Sequence, residues 1–157
     1  MVDPYEALVS FQAAFAAGEL RTQPGRVHED LIVHADRAGG FPRLTYVMGK
    51  GEYVQALVEF IVAEPIAGIA CFAVGYAVDE KCRRRGLAGA LLAKAIDEMR
   101  LGMRAHMPAF YLEAVVDQSN IASNRLARRS LSDAPITCVD EASGEPAYAY
   151  QRLISTR

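Results

Sequence analysis

Residues 68 to 78, GIACFAVGYAV, carry no charged side chain. A strand with one face in water alternates apolar and polar residues, so a short uninterrupted apolar run belongs in the interior of a sheet, covered on both faces. The segments after this run narrow the architecture. Residues 79 to 89, DEKCRRRGLAG, set three consecutive arginines against glycines. From Leu87 onward Ala88, Leu91, Leu92, Ala95, Ile96, Met99 and Met103 recur at helical spacing, with Lys94, Asp97, Glu98 and Arg100 on the other face. The next run, AFYLEAVV, reads as a strand again. Strand, helix, strand is a crossover connection, so the Phe72 and Phe110 strands are expected to be parallel neighbours.

The rest of the chain surrounds that unit with antiparallel pieces. Asp3-Pro4 is a cap and first-turn pair, and Ala7, Leu8, Phe11, Ala14 and Phe15 follow at helical spacing before Gly18. Between Arg21 and Gly40 the pattern is weak, and HEDLIVH reads equally as a short strand or a helical turn. RLTYVMG, EYVQALVEFIVA and GIACFAVGYAV are separated by turns short enough for an antiparallel meander. SNIASNRLARR reads as a short helix, and PITCVDEASGEPAYAYQRLI as a closing hairpin around Ser-Gly. The expected fold class is α+β, three-layered, with a mixed and mostly antiparallel sheet flanked by helices. One domain is expected over residues 1 to 157, with a helical N-terminal part over 1–40 and a core over 41–157.

Composition removes several classes of function. Seventeen Lys and Arg against 19 Asp and Glu leave a net charge of −2. No global field favours nucleic acid or an anionic membrane surface. The apolar runs are too interrupted to cross a bilayer, and MVDPYEAL lacks the basic-then-apolar order of a signal peptide, so a cytoplasmic location is expected. Cys71, Cys82 and Cys138 are odd in number and far apart, so neither a disulfide framework nor a metal site is expected.

The arginine-glycine loop has chemistry of its own. A strand turning there into a helix presents backbone N–H groups that have no intrahelical partner, at the positive end of the helix dipole. Gly86 and Gly89 remove side chains that would obstruct an oxyanion, and Arg83, Arg84 and Arg85 add charge-assisted donors. The signal is an anion site. It lacks the Gly-Lys-Ser/Thr of a P-loop and the GxGxxG of a dinucleotide fold.

Arg83-Arg84-Arg85-Gly86-Leu87-Ala88 resembles the Gln/Arg-x-x-Gly-x-Gly/Ala pyrophosphate loop of the GCN5-related N-acetyltransferase (GNAT) superfamily. The element order over roughly residues 40 to 153 is similar to that of the family as well. Asn120 resembles the family's Asn after its fifth strand, beside the pantetheine arm. The resemblance implies a fold with a splayed parallel strand pair and acetyl-CoA or another acyl-CoA as cosubstrate. Pyrophosphate would lie on the loop Arg83, Arg84, Arg85, Gly86, Leu87, Ala88 and Gly89, and pantetheine would pair with the backbone at Tyr76, Ala77 and Val78. The amine would attack directly, without a covalent cysteine.

Two departures stand out. The family often carries a general-acid Tyr seven residues after its Asn, where this chain has Ala127, and the GIACFAVGYAV strand offers no Glu or His as base. Candidate replacements are Glu59, Glu113 and Tyr76. Glu59 and Glu113 are each either a carboxylate of raised pKa beside a substrate or a residue on a solvated sheet face. Tyr76 is either a proton donor to thiolate or a packed strand residue. His28, His34 and His106 are assigned no role, while Arg125, Arg128 and Arg129 share a helical face that would suit an adenosine 3′-phosphate or simply solvent.

Two functions compete: transfer of an acyl group to a small-molecule or peptide amine, and binding of CoA without turnover as a sensor or interaction module. Glu29, Asp30 and Asp36 would suit a cationic acceptor. Pairing of the final strands would allow a homodimer.

Overall fold

The computed structural model describes residues 3 to 157. Its helices are α1 (Pro4–Ala16), α2 (Leu87–Met103) and α3 (Ile121–Ser130). Its strands are β1 (Gln23–Pro24), β2 (Ile32–Ala38), β3 (Phe41–Lys50), β4 (Tyr53–Ile66), β5 (Ile69–Val78), β6 (Ala109–Asp117), β7 (Ile136–Val139) and β8 (Pro146–Ser155). Hydrogen-bonded neighbours run in the order β1-β2-β3-β4-β5-β6-β8-β7. β5 and β6 are parallel, joined from Cys71–Tyr111 to Ala73–Glu113, as the crossover required. The pairs β1–β2, β2–β3, β3–β4, β6–β8 and β7–β8 are antiparallel.

The N-terminal part departs from expectation. Among the described residues up to 40 only Pro4–Ala16 is α-helical, and the ambiguous HEDLIVH segment leads into β2, which pairs with β3 from Ile32–Val47 to Ala38–Phe41. Pairing with β3 decides a segment whose own periodicity is weak.

The chain divides into two compact units, Met1–Ile61 with Gly75–Gly102, and Val62–Val74 with Met103–Arg157. In the first, α1 starts where Asp3 Oδ1 accepts the Tyr5 N–H at 3.0 Å and Pro4 occupies the first turn. Leu8 and Phe11 of this helix pack on Val47, Val54 and Leu57 of the sheet. The register sets Val47 opposite Leu57 and Thr45 opposite Glu59, so strand alternation puts all four on the α1 face. Tyr46, Val58 and Phe60 point the other way, with the Tyr46 and Phe60 rings edge to face at 5.8 Å. On that second face burial first and then the Glu98 charge push the Tyr46 pKa up.

Glu98 itself corrects the helical-face reading. Expected among the outward charges of α2, it is only 7% exposed and accepts the backbone N–H groups of Arg26 (2.9 Å), Val27 (2.7 Å) and His28 (2.7 Å). His28 Nε2 lies 2.8 Å from Asp97, and Lys94 donates to Asp30 at 2.5 Å, so the charged face of α2 holds the loop before β2. Gly25 fits there because a Cβ would sit 2.2 Å from the His28 carbonyl oxygen and 2.7 Å from Glu98 Oε1.

In the second unit Phe110, Leu112, Ala114 and Val116 of β6 alternate inward, and Phe72 meets Phe110 edge to face at 5.5 Å. α3 is capped by Asn120, whose Oδ1 accepts the Ser123 N–H at 3.1 Å.

Candidate active site

The loop between β5 and α2 is held by a local cap and by a side chain from β4. The Asp79 side chain caps a 3-10 turn over Glu80–Cys82 by accepting the Lys81 N–H at 2.9 Å, and it also accepts from the Tyr53 hydroxyl at 2.6 Å. The Tyr53 oxygen also lies 3.6 Å from the buried Cys82 sulfur. Beyond this anchor the chain takes left-handed backbone at Arg84 (φ 65°) and again at Gly86 (φ 71°). For arginine that conformation costs on the order of 1–2 kcal/mol, a strain that commonly marks a functional loop. The first bond of α2 runs from the Ala90 N–H to the Gly86 carbonyl at 3.1 Å, so the N–H groups of Leu87, Ala88 and Gly89 precede the helical ladder. A Cβ built on Gly86 meets nothing within 4 Å, so the space in front of the loop is open.

The arginines differ from one another. Arg83 reaches back, its guanidinium 5.3 Å from the Tyr5 ring centroid and its Nε donating to the Val78 carbonyl at 3.3 Å. Arg84 and Arg85 are exposed, and Arg85 touches the Lys81 carbonyl at 3.5 Å. No ion pair among the described residues involves Arg83, Arg84 or Arg85. A cluster of donors with open space at Gly86 and no ion pair upon its arginines fits a pyrophosphate. Tyr76, Ala77 and Val78 belong to the same unit and lead into the loop, each half-buried, with Ala77 packed on the α1 core.

Glu59 occupies a different setting. It is 1% exposed and lines a cavity of about 160 Å³ under α1, together with Phe11, Leu20, His34, Asp36, Arg43 and Thr45. The register brings these residues into rows across three strands: His34 opposite Thr45 opposite Glu59, and Asp36 opposite Arg43. Arg43 grips Asp36 with Nε at 2.8 Å and Nη2 at 2.6 Å, and its Nη1 stands 3.6 Å from Glu59. Burial pushes the Glu59 pKa up, with the Arg43 charge opposing it, whereas the Arg43 hydrogen bond pulls that of Asp36 down. Glu59 is therefore not on a solvated sheet face.

The remaining candidates lie in the second unit. Glu113 is half-buried on β6 and accepts a hydrogen bond from Gln151 Nε2 at 2.6 Å. Asn120 acts as the α3 cap, and Asn124, absent from the sequence reading, donates to the Asp117 carbonyl at 2.9 Å and accepts from Tyr150 at 2.7 Å. Ala127 is fully buried, so the position where the family often places its Tyr is part of the packed face of α3. Of the acidic residues expected to greet a cationic acceptor, Asp30 is paired with Lys94 and Asp36 with Arg43. The Tyr53–Asp79 anchor was also missed; Asp79 two residues before Lys81 is a local cap signal, but nothing in the sequence points Tyr53 at it.

Comparison with known proteins supplies the family and supports the fold. The model of the acetyltransferase (GNAT) family matches residues 11–131, and the chain belongs to that family. Among solved structures, an acetyltransferase of the GNAT family from Streptococcus pneumoniae superposes with a TM-score of 0.55 at 14% identity, over 72% of this chain and 67% of that one. The ribosomal L7/L12 alpha-N-protein acetyltransferase RimL, in complex with coenzyme A, gives 0.53 at 21% identity, over 73% of this chain and 64% of its own. The yncA structure from Salmonella typhimurium with its cofactor acetyl-CoA gives 0.50 at 20% identity, over 75% and 66%. No curated protein sequence matches the chain.

Proposed function

We propose that this protein transfers an acyl group, acetyl in the first instance, from an acyl-CoA to an amine. The observation that carries the reading is the strained loop at Arg84 and Gly86, which opens onto the N-terminal N–H groups of α2 with no ion pair upon its arginines. Those N–H groups and arginines would hold the pyrophosphate, and the β5 backbone at Tyr76–Val78 would pair with pantetheine. Both RimL and yncA were solved with coenzyme A or acetyl-CoA, which supports the same ligand here. Holding thioester and amine together supplies the entropic part of catalysis, and main-chain dipoles near Tyr76 would stabilise the oxyanion.

A direct attack suits the thiols present. Burial and then the Glu113 charge push the Cys71 pKa up to about 11, which leaves little thiolate at neutral pH for an acyl-cysteine intermediate. Glu59, whose pKa is raised, is the best-placed base by environment; Glu113 and Tyr76 are the other proton-transfer candidates. The buried Ala127 favours a second reading, in which the fold binds CoA without turnover because a customary acid is missing.

Thermal unfolding with and without acetyl-CoA tests the proposal in wild type and in Gly86→Glu. Ligand at 100 times its dissociation constant should add about 2.7 kcal/mol, several degrees for a domain of this size. The variant places a carboxylate before the loop and should show no shift. An unresponsive wild type would sink the acyl-CoA reading, and CoA release that depends on added amine would separate turnover from binding.

A further inference from the structure

We propose that Tyr53 is a positioning residue for the β5–α2 loop: it holds the Asp79 carboxylate on the 3-10 turn and so keeps Arg83, Arg84 and Arg85 free of it. That the freed arginines serve an acyl-CoA rests on the acyl-transfer reading.

Asp79 stands a few residues before the arginines on the same loop. A carboxylate there is a ready counter-charge for a guanidinium, and an arginine so paired has fewer donors to offer a phosphate. In the structure the pairing does not occur. Asp79 Oδ1 accepts both the Tyr53 hydroxyl at 2.6 Å and the Lys81 N–H at 2.9 Å, and no ion pair among the described residues includes Asp79. The Tyr53 hydrogen bond first, then that of the Lys81 N–H, hold the Asp79 carboxyl below its ordinary pKa, and the charges of Lys81 and Arg83 act on it as well. The pull of Arg83 on Asp79 is therefore present, and the two hydrogen bonds outweigh it. Such bonds to an ionised acceptor are generally stronger than an exposed ion pair.

Tyr53 is itself well fixed for an exposed side chain. It follows the β3–β4 turn, where a Cβ on Gly49 would sit 2.5 Å from the Tyr53 carbonyl oxygen, so glycine is needed for the two strands to approach. Gln12 of α1 brackets the residue, donating from Nε2 to the Glu52 carbonyl at 2.6 Å and accepting the Val54 N–H at 2.6 Å. With its proton given to Asp79, the Tyr53 oxygen is left to accept from the Cys82 thiol 3.6 Å away. Main chain and hydroxyl are both held, and the hydroxyl is aimed at the carboxylate.

The experiment measures acetyl-CoA affinity by calorimetry in wild type, Tyr53→Phe, Asp79→Asn and the double variants Tyr53→Phe/Asp79→Asn and Tyr53→Phe/Glu80→Gln. Arginine Nε–Hε signals are followed by NMR in the same proteins without ligand. Tyr53→Phe, which keeps the ring, should weaken binding about tenfold. Asn keeps the capping oxygen and loses the charge, so Asp79→Asn should bring the Tyr53→Phe protein back to within about twofold of wild type, and by itself should change affinity less than about twofold. Glu80→Gln, which removes a neighbouring charge that Tyr53 does not touch, should rescue nothing. A tyrosine that only stabilised the turn would lose affinity without selective rescue. In the ligand-free protein Tyr53→Phe should shift an Hε signal of Arg83, Arg84 or Arg85, and Asp79→Asn should restore it. Undiminished affinity in Tyr53→Phe, no rescue by Asp79→Asn, or equal rescue by Glu80→Gln overturns the inference and leaves the acyl-CoA reading intact. A wild type that binds no acetyl-CoA sinks that reading, and the arginine signals then decide by themselves whether Tyr53 restrains Asp79.

Discussion

The β5–α2 loop and the cavity under α1 handle charge in opposite ways. The loop gathers Arg83, Arg84 and Arg85 with helix N–H groups in the open, and no carboxylate answers the arginines by ion pairing among the described residues. The cavity encloses Asp36, Arg43 and Glu59, whose charges answer one another within 2.6 to 3.6 Å. An exposed donor set costs little to leave waiting, because water solvates it until an anion arrives. A buried set must satisfy itself, because an unanswered charge in a poorly solvated site is costly. The loop accordingly leaves its donors to solvent, and the cavity is built around charges the chain already owns.

The largest effect expected of that difference is on stability. Arg43→Ala takes from Asp36 and Glu59 the guanidinium they share and should cost about 3 kcal/mol at neutral pH, the lower end for a broken buried pair, because Arg43 and Asp36 remain 26% and 31% exposed. Urea denaturation measures it; a loss below about 1 kcal/mol would mean that the cavity is as well solvated as the loop. Glu98→Ala comes next, stripping three backbone N–H groups of their acceptor, and should cost about 2 kcal/mol with fast hydrogen exchange at Arg26, Val27 and His28. Unchanged exchange at those amides would show that water replaces the carboxylate freely.

In the loop the sign reverses. Arg84→Gly relieves left-handed strain and should stabilise the apo protein by about 1 kcal/mol while weakening acetyl-CoA binding, a combination that calorimetry with both readouts would expose. Stabilisation with undiminished binding would remove Arg84 from the ligand site. Salt sharpens the contrast further. Raising ionic strength should loosen acetyl-CoA on the exposed arginines and leave the Asp36–Arg43–Glu59 cluster far less affected.

The smallest effect is a pH slope. Glu59 has a folded pKa above its unfolded value, so between those values the native state holds a proton that the unfolded chain has released. Its contribution therefore makes stability fall as pH rises through that window. Asp36, with a folded pKa below its unfolded value, does the reverse, and its contribution is lost as pH falls through the folded value. Glu59→Gln should flatten the first slope and leave the second, as read from melting temperatures across the acidic range.

The element order was legible wherever one segment carried its own pattern. Helix α2 begins at Leu87, where periodicity starts, and the apolar run at 68–78 became β5 with a parallel partner in β6. Residues 21–40 were not legible, because β2 owes its conformation to β3 and the loop before it is tied down by Glu98, far along the chain. The same distance hid the meaning of Glu98 and Tyr53, each of which acts on backbone or side chains from another element.

The sequence by itself determined the donor set of the β5–α2 loop, since Arg83 to Gly89 are contiguous and a helix start exposes its N–H groups whatever packs around it. Only the tertiary structure decided what surrounds Glu59. Its neighbours Asp36 and Arg43 come from β2 and β3, and a one-residue slip in either register would turn them to the opposite face of the sheet. A local pattern can specify a chain of donors, but the environment that sets a buried carboxylate's charge is assembled from strands distant in sequence, and it exists only once they are paired.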